Sequence, residues 1–328
     1  MGRMEGGYSM TTSSLDVTAA GTPSARPACG ARVKAFWFER DTGAGRLDFG
    51  LATDRLALDQ AFRLQHDQYV AQGYMDPHPS QWRLSIYNAL PCTRVFVARD
   101  DGRVVATMSV INDSRLNLPM AEIYGDELRK FRGEDRQLAE VSGLAVHPAY
   151  QKSGLAILLR LIRMVLIYST ETALVGDLCI TVNPHHEAFY RKAFGFESIG
   201  GLKQYGKVNG APAVALRLDL DTLRGFIADL RAGHPVESEV YTFLFKPEAL
   251  EPALARLDAD LAQAFPRLED VRYFFSRHEA GTTMSPAVRA YVEWCWKSAE
   301  AADARTAQVG AADDFAGAFE PDLALQLA

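Results

Sequence analysis

Up to about residue 220 the apolar residues fall into short runs of two different periods, and their order predicts a mixed fold. Arg46 to Leu51 reads as a first strand. Thr53 or Asp54 is expected to cap a helix whose apolar positions Leu56, Leu58, Ala61, Phe62, Leu64 and Tyr69 cover much of its surface. After the break from Pro77 to Ser80, Ser80 is expected to cap a second helix carrying Trp82, Ile86 and Leu90. Thr93 to Arg99 and Val104 to Ile111 are β-branched and apolar, and Asp100-Asp101-Gly102 between them predicts a tight hairpin. Leu138 to Val146 is a near-continuous apolar run with one charge, the pattern of a buried strand. Gly154 to Thr170 gives the clearest helix, and Leu178 to Val182 a further strand. Asn183-Pro184, an N-cap followed by proline at the first helical position, opens a helix that Gly195 closes. Two last strands, Lys203 to Val208 and Ala213 to Leu218, are joined by a turn at Asn209-Gly210. This order predicts an α/β (α+β) domain over residues 46–220, with a mixed, mostly antiparallel sheet flanked by helices, and excludes a doubly wound Rossmann sheet.

Beyond Leu220 only helical spacing remains. Leu250, Leu254, Leu257, Leu261 and Phe265 mark one helix, and Ser285-Pro286 opens another with Val288, Tyr291, Val292, Cys295 and Trp296 inward. Residues 221–306 are therefore expected as a helical extension, serving either as a cap or as a subunit contact in a homodimer. The two ends, 1–45 rich in Gly, Ser, Thr, Ala and Pro and 307–328 small and acidic, are expected to be a flexible leader and tail.

Composition narrows the class. With 328 residues, 48% hydrophobic and 23% charged, the chain can bury a sizeable core. Its net charge of −6 argues against a general nucleic-acid binder. The acidity is concentrated, since the segment from Asp221 onward holds 18 acidic and 10 basic residues. Cys29, Cys92, Cys179 and Cys295 show no paired spacing, which argues against a disulfide scaffold or zinc cluster and suits a reducing cytoplasm. The greasiest run, Leu155 to Tyr168, is interrupted by Arg160 and Arg163 and is too short for an integral membrane segment.

Candidate chemistry lies between residues 140 and 156. On an ideal strand Leu138, Glu140, Ser142, Leu144 and Val146 share one face, where Glu140 is the only charge. A carboxylate so placed is paired or has a raised pKa, which suits a general base; a structural ion pair with Arg63 is the alternative. The strand then runs through a glycine-bearing turn into a helix whose first amides form an anion seat. Gly154 and Ala156 let an anion approach, and Lys152 adds charge. His185-His186 has no evident third ligand, so no metal site is expected.

The stretch from Glu140 to Ala156 resembles motif A of the GNAT superfamily of N-acyltransferases, with Gln151, Gly154 and Ala156 at its Gln/Arg-x-x-Gly-x-Gly/Ala positions. Asn183 to Phe196 looks like motif B. The front half, with Arg63, Tyr69, the stretch from Leu118 to Tyr124 and Glu140-Val141-Ser142, looks like an acyl-homoserine-lactone synthase, although Gly143 stands where those strands carry arginine. The combination is similar to the FeeM-like N-acyl amino acid synthases over residues 46–220. That resemblance implies transfer of a medium or long fatty acyl group from acyl carrier protein, alternatively from acyl-coenzyme A, to the α-amine of an amino acid. No permanently bound cofactor is implied. Gln151, Lys152, Ser153, Gly154 and Ala156 would hold the phosphopantetheine arm, helped by Asn183, which also caps its helix. Backbone amides at a bulge near Leu144 to Val146 would hold the oxyanion, Glu140 would take the amine's proton, and Tyr190 or water would protonate the sulfur. Arg63 would pair with Glu140 or hold the substrate carboxylate, and Phe62, Trp82, Ile86 and Tyr87 would line the acyl slot. The rival readings are a coenzyme A-dependent acetyltransferase, a catalytically silent acyl-binding module and lactone synthesis from S-adenosylmethionine.

Overall fold

The computed structural model describes residues 47–132, 136–263 and 266–309. The expected leader, Cys29, Phe265 and the end of the expected tail lie outside them. Strand β1 (Asp48–Leu51) is followed by helix α1 (Arg55–Ala71), whose N-cap Asp54 accepts the Ala57 amide at 2.7 Å. The hairpin of β2 (Arg94–Asp100) and β3 (Arg103–Asn112) turns at Asp101 and Gly102, with φ of 47° and 77°. Two consecutive left-handed residues are what a type I′ turn requires. Helix α2 (Ala121–Arg132) precedes β4 (Leu138–Val146), and a short 3-10 turn from Pro148 to Ser153 leads into α3 (Gly154–Ile167). Then come β5 (Asp177–Val182), α4 (Pro184–Phe194), β6 (Glu197–Tyr205) and β7 (Ala211–Asp219). Asn183 caps α4, and Gly195 ends it at φ 70°.

The seven strands lie in the order β1-β2-β3-β4-β5-β7-β6, antiparallel except for β4 and β5. This is the mixed, mostly antiparallel sheet that the order of elements predicts. The parallel ladder pairs only Leu138–Val141 with Asp177–Ile180, whereas β5 continues along β7 to Val182 and β4 along β3 to Val146. The two central strands therefore part beyond Val141. The base of β5 is pinned by Asp177, fully buried and bound by Arg136 at 2.5 Å and Arg217 at 2.7 Å.

Two expectations are corrected, and one helix is added. The second helix does not form: one 3-10 turn, Ile86–Ala89, stands in its place. Gln81 is left-handed at φ 57°, and the Arg83 amide donates to the Phe62 carbonyl at 3.1 Å, which holds the segment extended while Trp82 inserts into the core. Helix α2, unforeseen, bends at Tyr124, whose hydroxyl lies 2.8 Å from both the Gly201 and the Ala213 carbonyl oxygens and shares its single proton between them. The face assignment of β4 also fails halfway. Gly143 is left-handed at φ 67°, and the register against β3 slips by one between Thr107 and Ser109. That bulge reverses the alternation. Leu144 and Val146 pack with Ala139 and Val141 on the α3 face, while Leu138 and Glu140 stay on the other.

The C-terminal helices share the core of the sheet. Helices α5 (Leu220–Arg231), α6 (Glu239–Phe245) and α7 (Pro247–Leu261) add Leu223, Ile227, Tyr241, Leu244, Phe245 and Leu257 to the α3 face. Asp260 of α7 accepts the Leu51 amide at 2.7 Å and closes the β1 edge. Past that edge, α8 (Leu268–Phe275), α9 (Glu279–Thr282) and α10 (Pro286–Val309) cover the α1 face through Phe274, Phe275, Val292 and Trp296. The Trp296 indole donates to the Ala89 carbonyl at 2.8 Å.

Histidines join this clasp to the loop before β2. His278 accepts the Ala280 amide on Nδ1 at 3.0 Å and stacks on His78 at 4.1 Å, while the His78 Nδ1 accepts the Ser80 amide at 3.1 Å. Burial, then the neighbouring His78, hold the His278 pKa below its ordinary value of 6.5. The folded chain thus binds this proton less tightly than the unfolded one, so the stabilisation is intact above about pH 6.5 and declines as pH falls below it. Between pH 7.5 and 5.5 the thermal midpoint of the wild type is expected to lose ground to that of His278→Asn, which keeps an acceptor but cannot take the proton. A difference between the two that stays constant over this range would exclude His278 as the cause.

Candidate active site

Glu140 sits where β4 and β5 begin to part. It is 2% exposed, and burial raises its carboxyl pKa to about 7. The shift is restrained by the Met120 amide, which donates to Oε2 at 2.8 Å, by Lys207, by the Thr181 hydroxyl, which donates to Oε1 at 3.3 Å, and by Arg83. Tyr87 and Tyr205 border the same carboxylate, and both phenol pKa values are raised, foremost by burial and also by the Glu140 charge. Lys207 donates to the Pro119 carbonyl at 2.9 Å, pairs with Glu122 at 3.1 Å and lies 5.4 Å from the Tyr87 ring centre. A carboxyl that titrates near neutrality, ringed by phenols and two cations, is equipped to take a proton at physiological pH.

The expected partner of Glu140 is elsewhere. Arg63 pairs with Asp59 at 2.8 Å and Gln81 at 2.9 Å, with its guanidinium over the Trp82 ring. Phe62 and Trp82 are both buried. Their rings meet Phe274 at 5.2 and 5.1 Å, and the Trp82 indole donates to Asp59 at 2.8 Å. The slot expected between the first helices is filled by α8 at these positions. Two cations near the sheet are held by the protein itself: Lys203 is tied to the Ile123 carbonyl and Glu127, and Arg163 to the Leu244 and Phe243 carbonyls. Lys152 is exposed.

On the α3 face lies a second group of residues. Leu144, Val146, Ala156 and Tyr190 pack around one core cluster. The turn before α3 is held by the Tyr150 hydroxyl, which donates to Asp100. Gln151 and Lys152 are exposed, Ser153, Gly154 and Ala156 half-buried, and a side chain on Gly154 would meet open space. No packing contact of the protein itself therefore requires a glycine at this position. Tyr190 packs edge-on against Phe189 and Phe196 and tilted against Phe194, at 5.2 to 6.2 Å, and burial raises its phenol pKa to about 12. The bulge joins the two groups. A side chain on Gly143 would stand 2.8 Å from the buried Gln65 amide nitrogen, which has no hydrogen-bond partner within the described residues. An arginine here would need both a left-handed backbone and the space of Gln65.

Sequence reasoning missed Arg83, Thr181, Tyr205 and Lys207 as neighbours of Glu140. Thr181 was accessible, lying on β5 two positions beyond Cys179, the register partner of Glu140. Arg83 and Lys207 come from connecting segments and Tyr205 from the last position of β6, and no periodicity reports that they meet Glu140.

The family model described as N-acyl amino acid synthase FeeM matches residues 60–219. Among solved structures, FeeM, an N-acyl amino acid synthase from uncultured soil microbes, shares 34% identity over 55% of this chain and 94% of its own, with a TM-score of 0.48. The acyl-homoserine-lactone synthase LasI shares 19% identity over 53% of this chain and 89% of its own, with a TM-score of 0.41. The coenzyme A-dependent acyl-homoserine lactone synthase BjaI, solved with SAM and isopentyl-CoA, shares 18% over 59% and 92%, with a TM-score of 0.40. None of the curated proteins compared with the chain matches it. The assignment rests on the family model and on a third of residues being identical across nearly all of FeeM: this chain is an N-acyltransferase and belongs to the FeeM family of N-acyl amino acid synthases.

Proposed function

We propose that the protein transfers a medium or long fatty acyl group from acyl carrier protein to the α-amine of an amino acid. The phosphopantetheine arm lies along Gln151–Ala156 and the capping Asn183, with the acyl thioester in the gap between β4 and β5. Glu140, directly or through water, takes a proton as the amine nitrogen attacks the thioester carbonyl. Backbone amides around Leu144 to Val146, released from regular pairing by the bulge, stabilise the oxyanion. The C–S bond then breaks and the sulfur leaves as a thiolate. At a pKa of about 12 the Tyr190 phenol is a hydrogen-bond donor to that sulfur rather than a source of its proton, which comes from water. Arg83, in place of Arg63, supplies positive potential for the amino acid carboxylate.

The observation that carries this reading is the buried Glu140, titrating near 7 beside the point where the central strands part. Acyl carrier protein as donor is supported by the family assignment and by the exposed pair Lys152 and Leu155 beside the turn, a charge and an apolar contact suited to an acidic partner. The test is a donor comparison with purified protein, following amide product by mass spectrometry. Higher kcat/KM with a long-chain acyl carrier thioester than with the matching acyl-coenzyme A or acetyl-coenzyme A is expected. Preference for acetyl-coenzyme A would reassign the enzyme as a small-amine acetyltransferase, and no turnover with any donor would leave an acyl-binding module.

A further inference from the structure

Lys207 and Glu140 are far apart in sequence and do not touch, yet both bind the same peptide group. The Lys207 ammonium donates to the Pro119 carbonyl oxygen at 2.9 Å, and the amide of that same Pro119–Met120 peptide donates to Glu140 Oε2 at 2.8 Å. A cation on the carbonyl oxygen withdraws density from the amide and makes its N–H a stronger donor, so the two hydrogen bonds reinforce one another. Glu122, 3.1 Å from Lys207, sets how much of the lysine's charge reaches the peptide.

We propose that Lys207 is a positioning residue for acyl transfer, fixing and electrostatically tuning Glu140 through the single peptide between Pro119 and Met120. The inference rests on Glu140 being the base. Met120 is fully buried, so no water competes for the relay's amide. Lys207 sits on the short 3-10 turn between β6 and β7. The other groups around Glu140 are Arg83 and Tyr87 from the loop before β2, Cys179 and Thr181 from β5, and Tyr205 from the end of β6. Of these, only Arg83 shares the lysine's positive charge. Without Lys207 the carboxylate keeps its burial and loses its strongest charge partner.

The test is a carbon-13 titration of the Glu140 carboxyl, assigned by its loss in Glu140→Gln, beside the pH dependence of kcat/KM. In Lys207→Met the Glu140 midpoint is expected to rise by about one pH unit, and in Lys207→Arg to return towards wild type. Glu122→Gln, a change at a half-exposed side chain, is expected to lower it and serves if Lys207→Met does not fold. Midpoints unmoved in the folded variants would overturn the relay. A moved midpoint with an unmoved activity profile would leave the relay standing and remove Glu140 as the base.

Discussion

Glu140→Gln is expected to lower kcat by about 10²- to 10³-fold with little loss of stability, the usual effect of removing a general base. Glutamine is nearly isosteric, and its amide oxygen can still accept the Met120 hydrogen bond that orders the loop before α2. What disappears is the capacity to take a proton. In the wild type the base must be ionised, so activity should rise with pH through about 7, the pKa to which burial lifts the carboxyl. The residual rate of the variant should lack that step. Initial rates of amide formation from pH 5.5 to 8.5 decide the matter. A variant as fast as wild type, or one that keeps the same limb, would remove Glu140 from the chemistry.

The second large effect concerns stability. Phe274 of α8 is 2% exposed and packs edge-on against Phe62, Trp82 and Tyr273. Phe274→Ala is expected to cost about 3–5 kcal/mol, the loss typical of a large aromatic deleted from a core. That is a large fraction of an ordinary domain's total stability. Because the same rings join α1 to the C-terminal helices, the loss should appear as an earlier single transition, with tryptophan fluorescence and helix content falling together in urea. Two separated transitions, the first confined to the C-terminal helices, would show those helices to be an independent unit.

Local chemistry made most elements legible. Asn183-Pro184 and Gly195 bound α4 as expected, and Asp101-Gly102 form the hairpin turn, because caps and left-handed turns are written in two or three adjacent residues. Gly143 shows where such reading stops. Period-two alternation put Leu144 and Val146 on the Glu140 face, and one left-handed residue moved them to the other. The loop after Ser80 failed differently, since Trp82 is drawn inward by α8, which lies nearly two hundred residues away. Glu140 itself was legible as the one charge in an apolar strand. Its surroundings were not, because Lys207, Tyr205 and Arg83 meet it only through the tertiary course of the β6–β7 turn and of the chain between α1 and β2. The proposed partnership with Arg63 failed for the same reason: Asp59, one helical turn away, and Gln81 hold that guanidinium.

The most direct measurement is the mass and fragmentation of the lipid that accumulates in bacteria producing the wild-type protein, compared with cells producing Glu140→Gln. A species that fragments into an amino acid joined by an amide to a fatty acyl chain, present with wild type and strongly reduced with the variant, is the expected result. A lactone, an acetylated amine, or an N-acyl amino acid made equally well by both proteins would contradict it.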